Sequence, residues 1–360
     1  MAIITIAQAH VNSLYPTVMR NNPYPVGRGI YFKGHRELSE LFGIVFATVI
    51  TPESLFAPIL MYKDQNTSIA SLGSWGGWYF TEELKNAQKY GYQIKIHEGY
   101  HWPQRDYIFT EYVNTLYSLR MSFNKQDPKN MICKLLLNSL YGRFGLSPRL
   151  EEYSFKEIES KISDNLLINK LEVGNNDLFG YLKLRNQDIS KYSYESNLNI
   201  SLPVSFMTSA YARIHMSDIK MSYGEHLHYT DTDSAVTSIP LPEKMVGNAL
   251  GQFKLEHSFK KGVFLCPKVY GLILEDGSEV IKVKGSTVLP TFAQLEQILD
   301  NKEPLALSQS RWTKNFSTGK VSITDIIYNL MLTENKRKFV YDHQGRIVDT
   351  MPLVINRASA

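Results

Sequence analysis

Two aspartates stand two residues apart in Tyr229-Thr230-Asp231-Thr232-Asp233-Ser234. At the tip of a β-hairpin, positions i and i+2 project to the same side, so the carboxylates repel each other unless positive charge lies beside them. A divalent cation is the usual partner. Mg2+ takes oxygen donors from one or two carboxylates and completes its shell with water and phosphate, the arrangement of phosphoryl-transfer sites. The alternative is an exposed acidic turn, since Asp and Thr are common turn residues.

A second pattern is Lys134-Leu135-Leu136-Leu137-Asn138-Ser139-Leu140-Tyr141-Gly142. On a helix Lys134, Asn138 and Tyr141 share one face, a cation, an amide and a phenol. Such a stripe suits a nucleotide, with the cation on phosphate and the ring against a base or sugar; a solvated helix face is the plainer reading. Arg120 precedes this segment, and residues 110–149 carry Arg120, Lys125, Lys129, Lys134, Arg143 and Arg149 against Glu111 and Asp127. That local excess of positive charge points toward phosphate. Two weaker patterns flank these. Asn12-Ser13-Leu14-Tyr15-Pro16 follows an apolar run, and Pro16 is expected to hold Tyr15 extended. Lys268-Val269-Tyr270 places Lys268 and Tyr270 on one strand face, and Lys282 and Lys284 lie across the Asp276-Gly277 turn. This hairpin is either a platform for a phosphate backbone or an ordinary amphipathic hairpin.

The elements that must position these groups are legible in outline. Residues 2–11 read as a strand, and the prolines and glycines from Pro16 to Gly29 read as breakers of regular structure. Strand-like runs span Phe42 to Ile50 and Tyr92 to Glu98, with a helix over 81–90 capped by Thr81. Helical periodicity covers 105–121. A second helix opens on Asp127-Pro128 and is expected to stop at Gly142, completing a helical hairpin. Residues 146–200 are polar and Asn-rich, 203–221 are helical, and hairpins follow around 230–233 and at Asp276-Gly277.

The 360 residues, 43% hydrophobic, suffice for two or three domain-sized units. A net charge of +4 identifies no partner by itself. Cys133 and Cys266 form no CxxC pair, so a disulfide framework or a zinc centre is not expected, and both read as buried thiols. No apolar run reaches the length of a membrane span, and the N-terminal residues lack the features of a secretory or transit peptide. No membrane partner is expected.

In this order and spacing the four patterns resemble the motifs of family B DNA polymerases. Motif A is matched by Ser13-Leu14-Tyr15-Pro16, motif B by Lys134 through Gly142, motif C by Tyr229 through Ser234, and the Lys-x-Tyr motif by Lys268 and Tyr270. The wording is similar to the protein-primed branch, found in tailed phages and on linear mitochondrial plasmids. The resemblance runs from about residue 10 to at least 285. It implies an α+β right-hand core with an antiparallel palm sheet, helical fingers, two insertions and a small thumb. The palm is expected over 1–21 and 199–284, the first insertion over 22–107, the fingers over 108–145, the second insertion over 146–198, and the thumb over 285–360. The implied chemistry is two-metal transfer of dNMP from a dNTP to a primer 3′-hydroxyl, with Mg2+ or Mn2+, a DNA template-primer and a terminal protein as partners. Carried over by position, Asp231 and Asp233 are metal ligands, Lys134 and Arg120 hold the triphosphate, and Tyr15 lies under the sugar. Asn138 and Tyr141 line the nascent pair, while Lys268 and Tyr270, with Lys284 nearby, hold the primer strand. Family habit implies a mitochondrion, or alternatively a phage-infected or bacterial cytoplasm.

Two departures stand out. No exonuclease-like segment precedes motif A, so proofreading by this chain is not expected; the chain reads as a fragment of a longer gene or as one changed for a reason. The family's motif A aspartate is His10 here, and no carboxylate occurs before Glu37, so no sequence neighbour replaces it. Neutral imidazole is a poor Mg2+ ligand and brings no negative charge, at a cost on the order of several kcal/mol in transition-state stabilisation. Two function classes therefore stay open, an active polymerase and a catalytically inactive DNA-binding remnant of one. A third, an unrelated Asp-dependent nuclease or phosphatase, leaves the Lys134 helix unexplained.

Overall fold

The computed structural model describes residues 6–63, 67–146, 200–315 and 320–356, and the backbone of strands Glu151–Lys156, Leu166–Glu172 and Gly180–Asn186. Its centre is a six-stranded antiparallel sheet. The strand order is Leu227–Asp231, Ser234–Thr237, Ile6–Val11, Phe253–Cys266, Val269–Leu274 and Glu279–Val283. The Ile6–Val11 strand lies inside it because alternate residues serve different layers. Ala9 and Val11 enter the main apolar core with Ala235 and Phe253. Gln8, also buried, faces the other side, where Val236, Phe259 and Leu272 form a smaller cluster.

Among the described residues six α-helices surround or extend the sheets: α1 (Leu14–Asn21), α2 (Thr81–Gln88), α3 (Thr110–Met121), α4 (Pro128–Phe144), α5 (Leu202–Tyr223) and α6 (Phe292–Asn301). The sequence reading of a proline-broken strand exit at Tyr15 is corrected here. Ser13 takes the left-handed conformation and the chain enters α1 at Leu14, so Tyr15 is helical. Pro16 is tolerated because the first-turn N–H groups have no intrahelical acceptor. At α2, Thr81 lies inside the helix rather than capping it, and its hydroxyl accepts the Gly43 N–H. The helix expected from 105 starts at Thr110, since Arg105–Asp106 pair with Tyr24–Pro25 as a short strand. Asp127 caps α4 by accepting the Lys129 N–H, as expected, but the helix continues through Gly142 to Phe144. Cys133 is buried; Cys266 is only half-buried.

A second sheet, order Val354–Asn356, Leu72–Phe80, Gly43–Ile50, Gln93–His101 and Ile30–Lys33, has its own core around Val45, Ala47, Trp75 and Leu84. Its first strand comes from the far end of the chain and is parallel to Leu72–Ser74, so the terminal segment returns to the region 22–107. The three strands within 151–186 form a separate antiparallel sheet; the rest of the polar segment 147–199 lies outside the described residues. At the other edge, α6 carries a Thr291/Gln294 capping box and packs Leu295 and Ile298 against Val263 and Val269, next to the hairpin of Leu305–Asn315 and Lys320–Leu330.

The long helix α5 joins both cores. Met207, Ala210 and Met216 enter the central one, and Met221 packs on the second. Polar contacts to α2 fix its rotation: Arg213 Nη2 donates to Glu83 Oε2 at 2.9 Å and Asn86 Nδ2 to Ser217 Oγ at 2.9 Å. Glu83→Gln leaves Arg213 without its carboxylate. The expected cost is roughly 2 kcal/mol, less than for a fully enclosed pair because Arg213 is 35% exposed, and it is read as a lower urea midpoint. An unchanged midpoint would mean that apolar packing alone holds α5.

Candidate active site

Register creates the site. His10 lies opposite Ser234 on one side and Lys254 on the other, and Ser234 lies opposite Asp231. Directly opposed residues share a sheet face, so Asp231, Ser234, His10 and Lys254 form one row across four strands. The turn at its end is tight. Thr232 takes φ 53°, Asp233 N–H donates to Asp231 O at 2.6 Å, and Asp233 O accepts the Val11 N–H at 2.7 Å. The hairpin tip is thereby tied to the strand exit from which α1 departs. Burial pushes the Asp233 carboxyl above its ordinary value, and the Asp231 charge adds to that, while its own backbone N–H, His10 and Lys268 act in the opposite sense.

Lys268 is not on a strand face with Tyr270, as alternation predicts. It takes φ 66° in the connection before Val269, a conformation that turns its side chain back toward the hairpin tip. Its N–H donates to Tyr229 Oη at 2.8 Å, and its ammonium contacts Asp231 Oδ1 at 2.8 Å and Oδ2 at 2.6 Å. Tyr270 stays on the strand, where its hydroxyl accepts from Gln8 Nε2 at 3.2 Å and its ring packs near Tyr229 and Phe264. Lys284 is exposed, with its N–H on Lys268 O at 3.1 Å.

A carboxylate distant in sequence stands near His10. The pairing of Ile6–Val11 with Phe253–Cys266 shifts register between Gln8 and Ala9, leaving Glu256 as the extra residue of a bulge. Its Oε2 lies 3.4 Å from His10 Nδ1. The two atoms form no hydrogen bond, since this buried Nδ1 has no hydrogen-bond partner among the described residues. Glu256 is 246 residues from His10 in sequence, and no local pattern reveals it.

The helices complete the cluster. Tyr15 stacks on Tyr141, ring centroids 4.0 Å apart and planes 17° apart, so motif A and motif B meet through two phenols. Burial, then the neighbouring Tyr141, pushes the Tyr15 phenol up to about 12. Arg120 Nη1 reaches Ser13 Oγ at 3.5 Å, and its Nε reaches Asn130 Oδ1 at 3.4 Å. Lys134 and Asn138 remain exposed on α4, without a hydrogen bond to any described residue. A cleft of about 1420 Å3 runs from Tyr15, Thr230 and Thr232 past Gly145 to Arg213 and Lys220 on α5 and to Trp78 and Tyr100 of the second sheet. Arg213, Glu83 and the aromatic wall were not anticipated from sequence, because their contacts join segments more than a hundred residues apart.

The sequence profile of DNA polymerase type B, organellar and viral, matches residues 5–224. The chain belongs to that family. It is 33% identical over 357 residues to a probable DNA polymerase of Ascobolus immersus, covering 95% of this chain and 29% of that protein. It is 35% identical over 382 residues to one of Podospora anserina, covering 95% and 31%. A DNA polymerase of Bacillus phage Nf is 23% identical over 281 residues, covering 72% of this chain and 44% of that protein. The chain thus spans well under half the length of these relatives. Phi29 DNA polymerase complexed with primer-template DNA and incoming nucleotide substrates has the same fold, with a TM-score of 0.64 at 16% identity, over 90% of this chain and 57% of that one. The architecture is therefore that of the right-hand polymerase core. No helix among the described residues is long and apolar enough to cross a membrane.

The folded Tyr15 phenol keeps its proton up to about 12, whereas the unfolded one releases it near the ordinary 10. Between these values the unfolded state binds fewer protons, so stability is lost as pH rises from 10 toward 12. Tyr229, also pushed up to about 12 by burial, contributes in the same window. Tyr15→Phe is expected to flatten the fall of the urea midpoint above pH 10; an identical pH profile would contradict the burial assigned to this phenol.

Proposed function

We propose that this chain carries the polymerising core of a DNA-directed DNA polymerase, moving dNMP from a dNTP to a primer 3′-hydroxyl in protein-primed replication of a linear element. The observation that carries the reading is convergence. Tyr15 stacks on Tyr141, Arg120 reaches Ser13, and the Asp231–Asp233 turn is bonded to Val11, while Tyr15, Thr230 and Thr232 line one cleft. Residues 1–21 and 199–284 serve as palm, 22–107 and 146–198 as insertions, 108–145 as fingers and 285–360 as thumb. The second sheet also takes in the terminal strand Val354–Asn356.

Asp231 and Asp233 fit a divalent cation of the oxygen-preferring kind. They are two close carboxylates, one resisting ionisation through burial and like charge, which an added cation relieves. Among the described residues no three His, Cys, Asp or Glu side chains are grouped to enclose a metal. That suits Mg2+, which is held by one or two carboxylates plus substrate phosphates rather than by a protein cage. Mg2+ or Mn2+, when bound, supplies Lewis acidity to the phosphoryl oxygens and the attacking hydroxyl. Glu256 adds a third carboxylate beside His10. Lys268 neutralises Asp231 in the absence of substrate and lies with Tyr270 where the primer end is held. Exposed Lys134, with Arg120, meets the triphosphate as the fingers close, and Asn138 lines the nascent pair. The Tyr15 ring, fixed by Tyr141, forms the floor under the sugar, where a ribose 2′-hydroxyl is excluded.

A terminal protein supplies the first hydroxyl in this reading, and fungal and phage relatives support a mitochondrial element or, failing that, a phage-infected or bacterial cytoplasm. A second reading, an inactive DNA-binding remnant, is favoured by His10 in the row and by the Lys268–Asp231 ion pair. Primer extension with Mg2+ and Mn2+ separates them. Asp233→Asn is expected to abolish extension, and His10→Asp to raise its rate by about tenfold or more. If the wild type extends primers and His10→Asp gains nothing, the metal reading of this position is wrong. If neither extends but both bind primer-template, the remnant reading stands.

A further inference from the structure

Lys220 lines the cleft from α5, about two helical turns beyond Arg213. The two cations differ in one respect. Arg213 holds Glu83, whereas the half-buried Lys220 has no hydrogen-bond or ion-pair partner among the described residues. Burial holds its ammonium below the ordinary lysine value, and the Arg213 charge adds to that; Glu83 acts in the opposite sense. A cation partly withdrawn from water and not directly paired is costly, and such a site favours an anion.

The same cleft is also lined by aromatic rings. The terminal strand pairs with Leu72–Ser74, and beyond Ser74 no described strand pairs with this edge of the Leu72–Phe80 strand. Trp78, 45% exposed, stands there with its ring 5.7 Å from Phe46, and Tyr100, 44% exposed, lies 5.3 Å from Tyr31. Both rings line the same cleft, which is continuous with Tyr15 and the Thr230–Thr232 tip. A cation with no hydrogen-bond partner among the described residues and exposed aromatic rings in one cleft match a phosphodiester chain and its bases. At about 1420 Å3, the cleft exceeds the roughly 300–1,000 Å3 typical of a small-molecule pocket.

We propose that Lys220 and Trp78 form a second DNA contact outside the four sequence motifs, with a backbone phosphate on the Lys220 ammonium and a base or sugar on the Trp78 indole. This rests on the reading that the cleft receives a primer-template. The test is fluorescence anisotropy of a labelled primer-template carrying a 5′ overhang, titrated with the full chain at several salt concentrations. Lys220→Gln is expected to reduce the slope of log affinity against log salt by about one. Trp78→Ala is expected to weaken binding about tenfold without changing that slope, and Trp78→Phe to restore most of it. Lys220→Met, which removes the unpaired charge, is expected to leave the thermal midpoint unchanged or raised. Unchanged salt slope in Lys220→Gln, unchanged affinity in Trp78→Ala, or a lowered midpoint in Lys220→Met overturns the proposal while wild-type binding leaves the polymerase reading intact. A wild type that binds no primer-template at any salt concentration sinks both.

Discussion

Everything at the site depends on the register of one short strand. Ile6–Val11 is paired on both sides, and its alternation sends Ala9 and Val11 into the main core while Gln8 faces the opposite layer. A slip of one residue would exchange those faces, burying His10 and exposing Val11. The same register brings Ser234 and Asp231 into line with His10 and lets Asp233 accept from Val11. Apolar burial, which is non-directional, thus aligns the polar groups.

Charge is arranged around that row with little to spare. Lys268 answers Asp231, and Glu83 answers Arg213. Each pair joins elements distant in sequence, so each also fixes geometry. The Lys268 contact ties the sheet connection to the hairpin tip, and the Glu83 contact sets the rotation of α5. Lys220 departs from this pattern, as does the exposed Lys134 stripe, and both departures occur on surfaces bordering the cleft or the fingers.

Local rules read much of the secondary structure correctly. The Asp276-Gly277 hairpin, the Asp127-Pro128 helix start and the long helix after residue 200 follow from turn chemistry, capping and proline geometry, which act over a few residues. The errors have equally local causes. Proline at Pro16 was read as a breaker although the first helical turn accepts it, and Gly142 as a stop although α4 continues to Phe144. Lys268 was placed by strand alternation, but a positive φ turns it out of the strand.

The sequence by itself determined the family, the order of the four patterns, and a histidine at position 10 where the resemblance expects an aspartate, because these are matters of residue type and spacing along the chain. It also marked Tyr15, Tyr141, Asp231 and Asp233 as candidates for one site. Only the tertiary structure decided what surrounds them: the Tyr15–Tyr141 stack, the Lys268–Asp231 pair, Glu256 beside His10, and a cleft lined by both Lys220 and Trp78. The physical reason is that cross-strand register and helix docking are set by burial of surfaces far apart in the chain. Short-range propensity records the elements and says nothing of which side chains their packing brings face to face.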